Sequence, residues 1–218
     1  MIYQEDFSST TIVNDENKHL GGYYGDNIGF GEWFGNADRV GIDNQQLKVE
    51  AESSFDGSGL FLAPSLFSNG AGTYTLQYQI TSVVNLGNGS EARISVWQGT
   101  DTSSSSGGDS LYLEVGTGDY GSLSATGAAT ASLTTTQSQT STGLFTASFQ
   151  YDGTSAVALI FGTHFDHWVS GFPVVHYDNI QIISPVPEPS SGVFVGGLLL
   201  GAAGWQALRR RARRGSPT

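Results

Sequence analysis

Apolar and polar residues alternate along this chain with a period of two. Tyr74, Leu76, Tyr78 and Ile80 are interleaved with Thr75, Gln77, Gln79 and Thr81, which gives an extended segment one apolar and one polar face, the pattern of a half-buried β-strand. Similar runs occupy residues 46–50, 60–63, 92–98, 111–115, 144–151, 156–162 and 174–183. Turn dipeptides stand between them: Asp56-Gly57, Asn69-Gly70, Asn88-Gly89, Gly107-Gly108 and Asp152-Gly153. Nothing before residue 190 has a helical period. Many short strands with regular turns predict an all-β fold, a two-sheet antiparallel β-sandwich of the jelly-roll type, over residues 1–184. Residues 99–109 and 121–143 are rich in Ser, Thr, Gly and Ala. Between Tyr120 and Leu144 the large apolar residues are Leu123 and Leu133 alone, so this stretch reads as an exposed connection or an edge hairpin that adds little to the core.

The pattern changes abruptly at the C-terminal end. A linker at 185–189 (Pro185-Val186-Pro187-Glu188-Pro189) is followed by an uncharged stretch over 190–208 and a basic tail over 209–218 that carries Arg209, Arg210, Arg211, Arg213 and Arg214. Nineteen uncharged residues, at about 1.5 Å each, make a helix of roughly 28 Å, close to the hydrocarbon thickness of a bilayer. One transmembrane helix is therefore predicted. Clustered arginines resist translocation, which places the tail in the cytoplasm and residues 1–189 outside it.

Val186-Pro187-Glu188-Pro189, an apolar span and an arginine-rich terminus, in that order, resemble the PEP-CTERM sorting signal of exopolysaccharide-producing bacteria. The resemblance covers roughly residues 185–214. It implies a transient inner-membrane tether read by an exosortase, an integral-membrane cysteine transpeptidase that cuts near the Pro-Glu-Pro, and delivery to the outer membrane, cell surface or extracellular matrix. The residue before a proline is pushed towards extended geometry, and proline donates no backbone hydrogen bond. Val186 and Glu188 are thus held in a stiff open strand suited to a protease cleft.

Charge and composition narrow the functions open to the rest. The chain carries −11, but five of its nine basic residues lie in the tail; without it, twenty acidic residues face Lys18, Arg39, Lys48 and Arg93, a net of −16. Such a body repels nucleic acid and anionic lipid. Only 13% of residues are charged and there is no cysteine, which excludes disulfides, thiolate metal sites and a cysteine nucleophile. Export calls for a basic, then apolar, leader. Met1-Ile2-Tyr3-Gln4-Glu5-Asp6 reads instead as a strand, so a signal peptide is expected upstream of Met1.

The body resembles galactose-binding-like jelly rolls, the architecture of many carbohydrate-binding modules, in three short segments. Glu5-Asp6-Phe7-Ser8 looks like their first strand, Trp33 with Val40 to Val49 like their second and third, and His176-Tyr177-Asp178-Asn179-Ile180-Gln181-Ile182 like their last. The resemblance implies that first and last strands lie side by side and share a structural calcium, with Glu5 or Asp6 and Asp178 as its carboxylates. Calcium takes six to eight oxygens, and clustered carboxylates need a cation to relieve their repulsion. Asp178 and Asn179 can equally cap a strand end, and Asp43-Asn44 can be a turn. Sugar recognition uses aromatic rings that stack on pyranose faces. Candidates are Tyr23, Tyr24, Phe30, Trp33 and Phe34, and Phe165, Trp168 and Phe172, with Trp33 and Trp168 singled out and most of the others expected in the core.

Catalysis has weak support. His164 and Asp166 share one face of a strand while His167 points away. Glu32, Glu91, Glu114 and Asp166 show no spacing that marks a glycosidase pair, and no nucleophile elbow, phosphate loop or dinucleotide fingerprint occurs. A non-catalytic structural or adhesive matrix role is expected, with exopolysaccharide binding as the alternative and polysaccharide hydrolysis a distant third.

Overall fold

The computed structural model describes residues 1–20, 27–52, 54–87, 89–100, 111–166 and 171–185. Sixteen strands are present among them: β1 (Tyr3–Glu5), β2 (Ile12–Asn14), β3 (Asn17–Leu20), β4 (Asn27–Ile28), β5 (Trp33–Gly35), β6 (Val40–Asp43), β7 (Gln46–Glu50), β8 (Phe55–Leu62), β9 (Gly72–Val84), β10 (Glu91–Thr100), β11 (Leu111–Glu114), β12 (Ser122–Ala125), β13 (Thr130–Gln139), β14 (Gly143–Tyr151), β15 (Ala156–His164) and β16 (Val174–Ile183). One 3-10 turn, Pro64–Leu66, interrupts them. The chain is all-β, as the alternation predicts.

A first sheet runs β14-β9-β16-β7-β6, and a second runs β13-β10-β15-β8-β5-β2. In the first sheet one edge of β16 pairs β9, while its other edge is shared: residues 174–177 pair β7 and residues 180–182 pair β1. The first and last strands therefore lie side by side, antiparallel, with Glu5 opposite Ile180. β6 and β7 form a hairpin in which Asp43 pairs Gln46 across Asn44 (φ 51°) and Gln45 (φ 61°). Two consecutive left-handed residues are the signature of a type I′ turn, so Asp43-Asn44 serves as a turn.

The expectation of two sheets falls short by one. A four-stranded sheet, β12-β11-β3-β4, packs on the far side of the second sheet, which leaves the central strands of the second sheet buried on both faces. Its strands β8 and β15 show this directly, since every residue of both is buried. Val157, Leu159 and Phe161 of β15 point into the core shared with the first sheet, and Ala156, Ala158 and Ile160 into the core shared with the third. A strand covered on both sides loses its polar alternation.

Asp56-Gly57 is not a turn; both residues lie inside β8. Glycine is required there by close approach. A Cβ on Gly57 would stand 2.8 Å from the Val115 carbonyl oxygen, and one on Gly59 would stand 2.7 Å from Val115 Cγ1 and 2.9 Å from Leu113 Cδ2. The missing side chains are what lets the third sheet seat itself on β8. Residues 121–143, read as a connection or edge hairpin, form the edge strands β12 and β13, and β13 has no buried residue.

Candidate functional site: the open face of the first sheet

With the central strands of the second sheet covered on both sides, the first sheet presents its outer face to solvent. On β9 the buried Tyr74, Leu76, Tyr78 and Ile80 face the core, so Thr75, Gln77 and Gln79 face outward. Register extends this polarity across four strands: Thr146 pairs Gln77, Gln77 pairs Gln181, and Gln181 pairs Gln4. Opposed residues share a face. A row of one hydroxyl and three amides therefore crosses the sheet at its middle.

Hydrogen bonds fix its neighbours. Gln150 Nε2 donates to Thr73 Oγ1 (2.7 Å), Asn179 Nδ2 to Gln79 Oε1 (3.1 Å) and Thr81 Oγ1 to Gln46 Oε1 (2.8 Å). Asn179 adopts φ 49°, within a register irregularity between Asp178 and Gln181. Toward β7, His176 Nε2 lies 3.9 Å from Asp43 Oδ2, and Lys48 Nζ bonds Glu50 Oε2 at 3.1 Å. Burial holds the His176 imidazole below its ordinary value of 6.5; Lys48 adds to the shift and Asp43 opposes it. At neutral pH the ring is thus uncharged, and this face offers amides, hydroxyls and a neutral imidazole rather than a strong field.

The residues chosen as calcium ligands are near one another in the chain fold but do not converge. Glu5 Oε1 accepts from the Phe7 amide (2.8 Å) and from Thr10 Oγ1 (2.7 Å), Asp6 Oδ1 from the Ser8 amide (3.0 Å), and Asp178 Oδ1 from the Asn179 amide (2.7 Å). Glu5 and Asp6 each close a local turn, and Asp178 takes the amide of the next residue within β16. Among the described residues no group of three or more His, Cys, Asp or Glu side chains is gathered closely enough to hold a metal ion.

Trp33 cannot stack on a sugar. It is 1% exposed, packs against Phe7 and Phe161 with ring centroids 5.3 and 6.0 Å away, and donates Nε1–H to the Tyr3 hydroxyl at 3.2 Å. Both ring faces are spent on the core. Phe34 and Phe165 are buried too, whereas Phe30 is exposed, and the Arg39 guanidinium lies over the Phe172 ring. Trp168, His167, Tyr23 and Tyr24 lie outside the described residues, as does the whole sorting signal: Val186, Pro187, Glu188, Pro189, Arg209, Arg210, Arg211, Arg213 and Arg214. Among the described residues no helix is long and apolar enough to cross a membrane, and the stretch 190–208 is not among them.

The acidic residues weighed for glycoside cleavage are dispersed. Glu91 bonds Arg93 Nε at 3.2 Å on the second sheet, Glu114 accepts from Ser122 Oγ at 3.2 Å on the third, and Glu32 accepts the Gly29 amide at 2.7 Å. His164 is held with Nδ1 3.2 Å from the Gly89 carbonyl and Nε2 3.6 Å from Asp119. The polar row was missed in the sequence, although the alternation of Gln and Thr on β9 and on β16 was its signal.

No family model matches the chain, and no curated protein matches it. Solved structures similar to it include the CBM22-2 xylan-binding domain from Paenibacillus barcinonensis, with 11% identity, 85% of this chain and 100% of that chain covered, and a TM-score of 0.43. A family 11 carbohydrate-binding module from Clostridium thermocellum, in complex with a β-1,3-1,4-mixed-linked tetrasaccharide, has 10% identity, coverages of 83% and 100%, and a TM-score of 0.35. The K3 cleaved adhesin domain of Lys-gingipain from Porphyromonas gingivalis has 14% identity, coverages of 84% and 98%, and a TM-score of 0.34. All three scores lie below 0.5, so the chain's own geometry has to carry any functional reading.

Proposed function

We propose that this protein is an exported, non-catalytic surface or matrix component, carried by a PEP-CTERM signal and released or re-anchored by an exosortase-type transpeptidase. The observation that carries this reading is the order of Pro-Glu-Pro, nineteen uncharged residues and five arginines in the C-terminal tail. The body is compatible with such handling. β16 is a central strand of its sheet and ends at Ile183, ahead of Val186, so a cut near the Pro-Glu-Pro removes none of the described strands. The inner membrane is then a transient partner, and the acidic body works beyond it.

Mass spectrometry of the protein recovered from the cell surface tests this. The expected C-terminus lies near Glu188, with Arg209 to Arg214 absent; an intact arginine tail on the surface protein rejects processing. A topology reporter fused ahead of Pro185 separates export from cutting, because activity in the cytosol rejects both.

The row Thr146, Gln77, Gln181 and Gln4 favours a second reading, exopolysaccharide binding on the open face. Amides and hydroxyls on an open sheet face match the hydroxyls of a glycan chain, and an aromatic ring supplies stacking; Trp168, which lies outside the described residues, is the ring proposed for that role. Pull-down on the producer's own polysaccharide tests it. Retention is expected to fall at least tenfold in Gln77→Ala/Gln181→Ala and in Trp168→Ala, and equal retention by wild type and both variants rejects the reading.

A further inference from the structure

We infer that β14 is a self-complementary edge through which two copies of this chain pair. Its nine residues are bonded to β9 on one side without any shift of register, and no described strand lies on the other. An open strand presents a row of unpaired amides and carbonyls, and folded proteins ordinarily blunt such edges with charge, proline or a bulge. β14 carries no charge, proline or bulge, and at its C-terminal end Gln98 of β10 donates Nε2–H to the Gln150 carbonyl and accepts from the Asp152 amide. No Asp, Glu, Lys, Arg or Pro occurs between Asp119 and Asp152, although the chain as a whole carries −11. The opposite edge of the sheet, β6, ends at Asp43 and adjoins Arg39, which pairs with Glu50 and Glu52. β13, the edge of the second sheet, faces a register shift at Val96/Trp97 in β10. Two copies of so acidic a molecule repel one another least along β14.

The sequence of that edge also fits itself. A two-fold interface requires that if residue i meets j, then j meets i, and Phe145-Thr146-Ala147-Ser148-Phe149 satisfies this about Ala147. In antiparallel pairing centred there, Phe145 lies opposite Phe149 of the second copy, Thr146 opposite Ser148, and Ala147 opposite itself. The existing faces match as well, since Ala147 and Phe149 are buried and Phe145 packs on the same core, whereas Thr146 and Ser148 are exposed. Leu144, 62% exposed, would be placed opposite Gln150 of the second copy. The two first sheets then become one continuous sheet. Pairing of one nine-residue strand buries a modest area, so the association is concentration-dependent rather than obligate.

This pairing is independent of how the chain is sorted, and it is tested on the full chain in detergent micelles by sedimentation velocity. Thr146→Lys/Ser148→Lys sets like charges directly opposite one another across the two-fold, while both changed side chains point to solvent and leave the core alone. Wild type is expected to dimerise as concentration rises, the lysine form to need at least tenfold more protein, and an equimolar mixture with Thr146→Glu/Ser148→Glu to regain wild-type association. Circular dichroism confirms that both variants are folded. A wild type that stays monomeric, a lysine form that dimerises like wild type, or a mixture that does not re-associate overturns the inference. Association through residues 190–208 would survive the lysine substitutions and so counts against the edge.

Discussion

Tyr177 in β16 donates its hydroxyl proton to the carbonyl oxygen of Gly162 in β15, a polar bond between the first and second sheets inside an apolar core. Tyr177 is fully buried, and that burial pushes its phenol well above the ordinary value of 10. The hydroxyl therefore stays a donor across the accessible pH range. Around it Phe161 and Tyr78 pack edge-on to one another, and Phe161 packs edge-on to Tyr177.

Tyr177→Phe keeps the ring and removes the donor. The expected loss is about 1–2 kcal/mol of unfolding free energy, the cost of one buried hydrogen bond, measured by urea denaturation. An unchanged midpoint would mean that the hydroxyl contributes nothing to holding the sheets together.

Gly59→Val probes the third sheet. A Cβ there meets Val115 and Leu113 of the overlying layer at under 3 Å, so the branched side chain must push that layer away. Overpacking of this kind costs about 1–3 kcal/mol. Hydrogen exchange should rise first in β11 and β3, while β9 and β16 keep their protection. Uniform loss of protection instead would show that the three layers unfold as one unit.

The alternating strands were legible because each has one wet face: β7, β9 and β16 read directly as polar-apolar repeats. The third sheet was not. β3 and β4 total six residues and β12 only four, too few for a period to emerge, and their partner β8 carries Asp56-Gly57, which locally reads as a turn. Only the spacing Gly57, Gly59 hints that another layer comes close. Trp33 was legible as an aromatic but not as a buried one, because burial depends on Phe7 and Phe161, distant in sequence. The side-by-side first and last strands followed from the family resemblance rather than from periodicity, and the register of Glu5 with Ile180 agrees with it.

Chelation separates adjacency of strands from a shared cation. Glu5, Asp6 and Asp178 each accept a local amide, and Glu5 also takes the Thr10 hydroxyl, so the strand ends are satisfied by the chain itself. Excess EDTA is expected to leave the melting temperature within about 1 °C, since removal of a tightly bound ion would lower it by several degrees. A clear fall, restored by added calcium, would show that these carboxylates rearrange around an ion.

Acid should weaken the fold in two stages. Burial holds His176 below 6.5 in the folded chain, so the unfolded chain takes up that proton more readily; the stabilisation is complete above pH 6.5 and is lost as pH falls through the lower folded value. Asp152 follows the same sign at lower pH. Desolvation alone would raise its carboxyl, but hydrogen bonds from Ser155 and Thr154 outweigh it and bring the group below 3.8. Its contribution is therefore whole above pH 3.8 and disappears beneath that. Urea midpoints should be level from pH 8 to about 6.5, step down below it, and fall again under about 3.8. His176→Gln removes the upper step and spares the lower, whereas Asp152→Asn spares the upper and shrinks the lower, to which Asp15, held below 3.8 against desolvation by its hydrogen bond from Lys18, also contributes. An imidazole resonance for His176 titrating at 6.5 would abolish the first step, and one above 6.5 would reverse its sign, because the folded chain would then be the one that favours the proton.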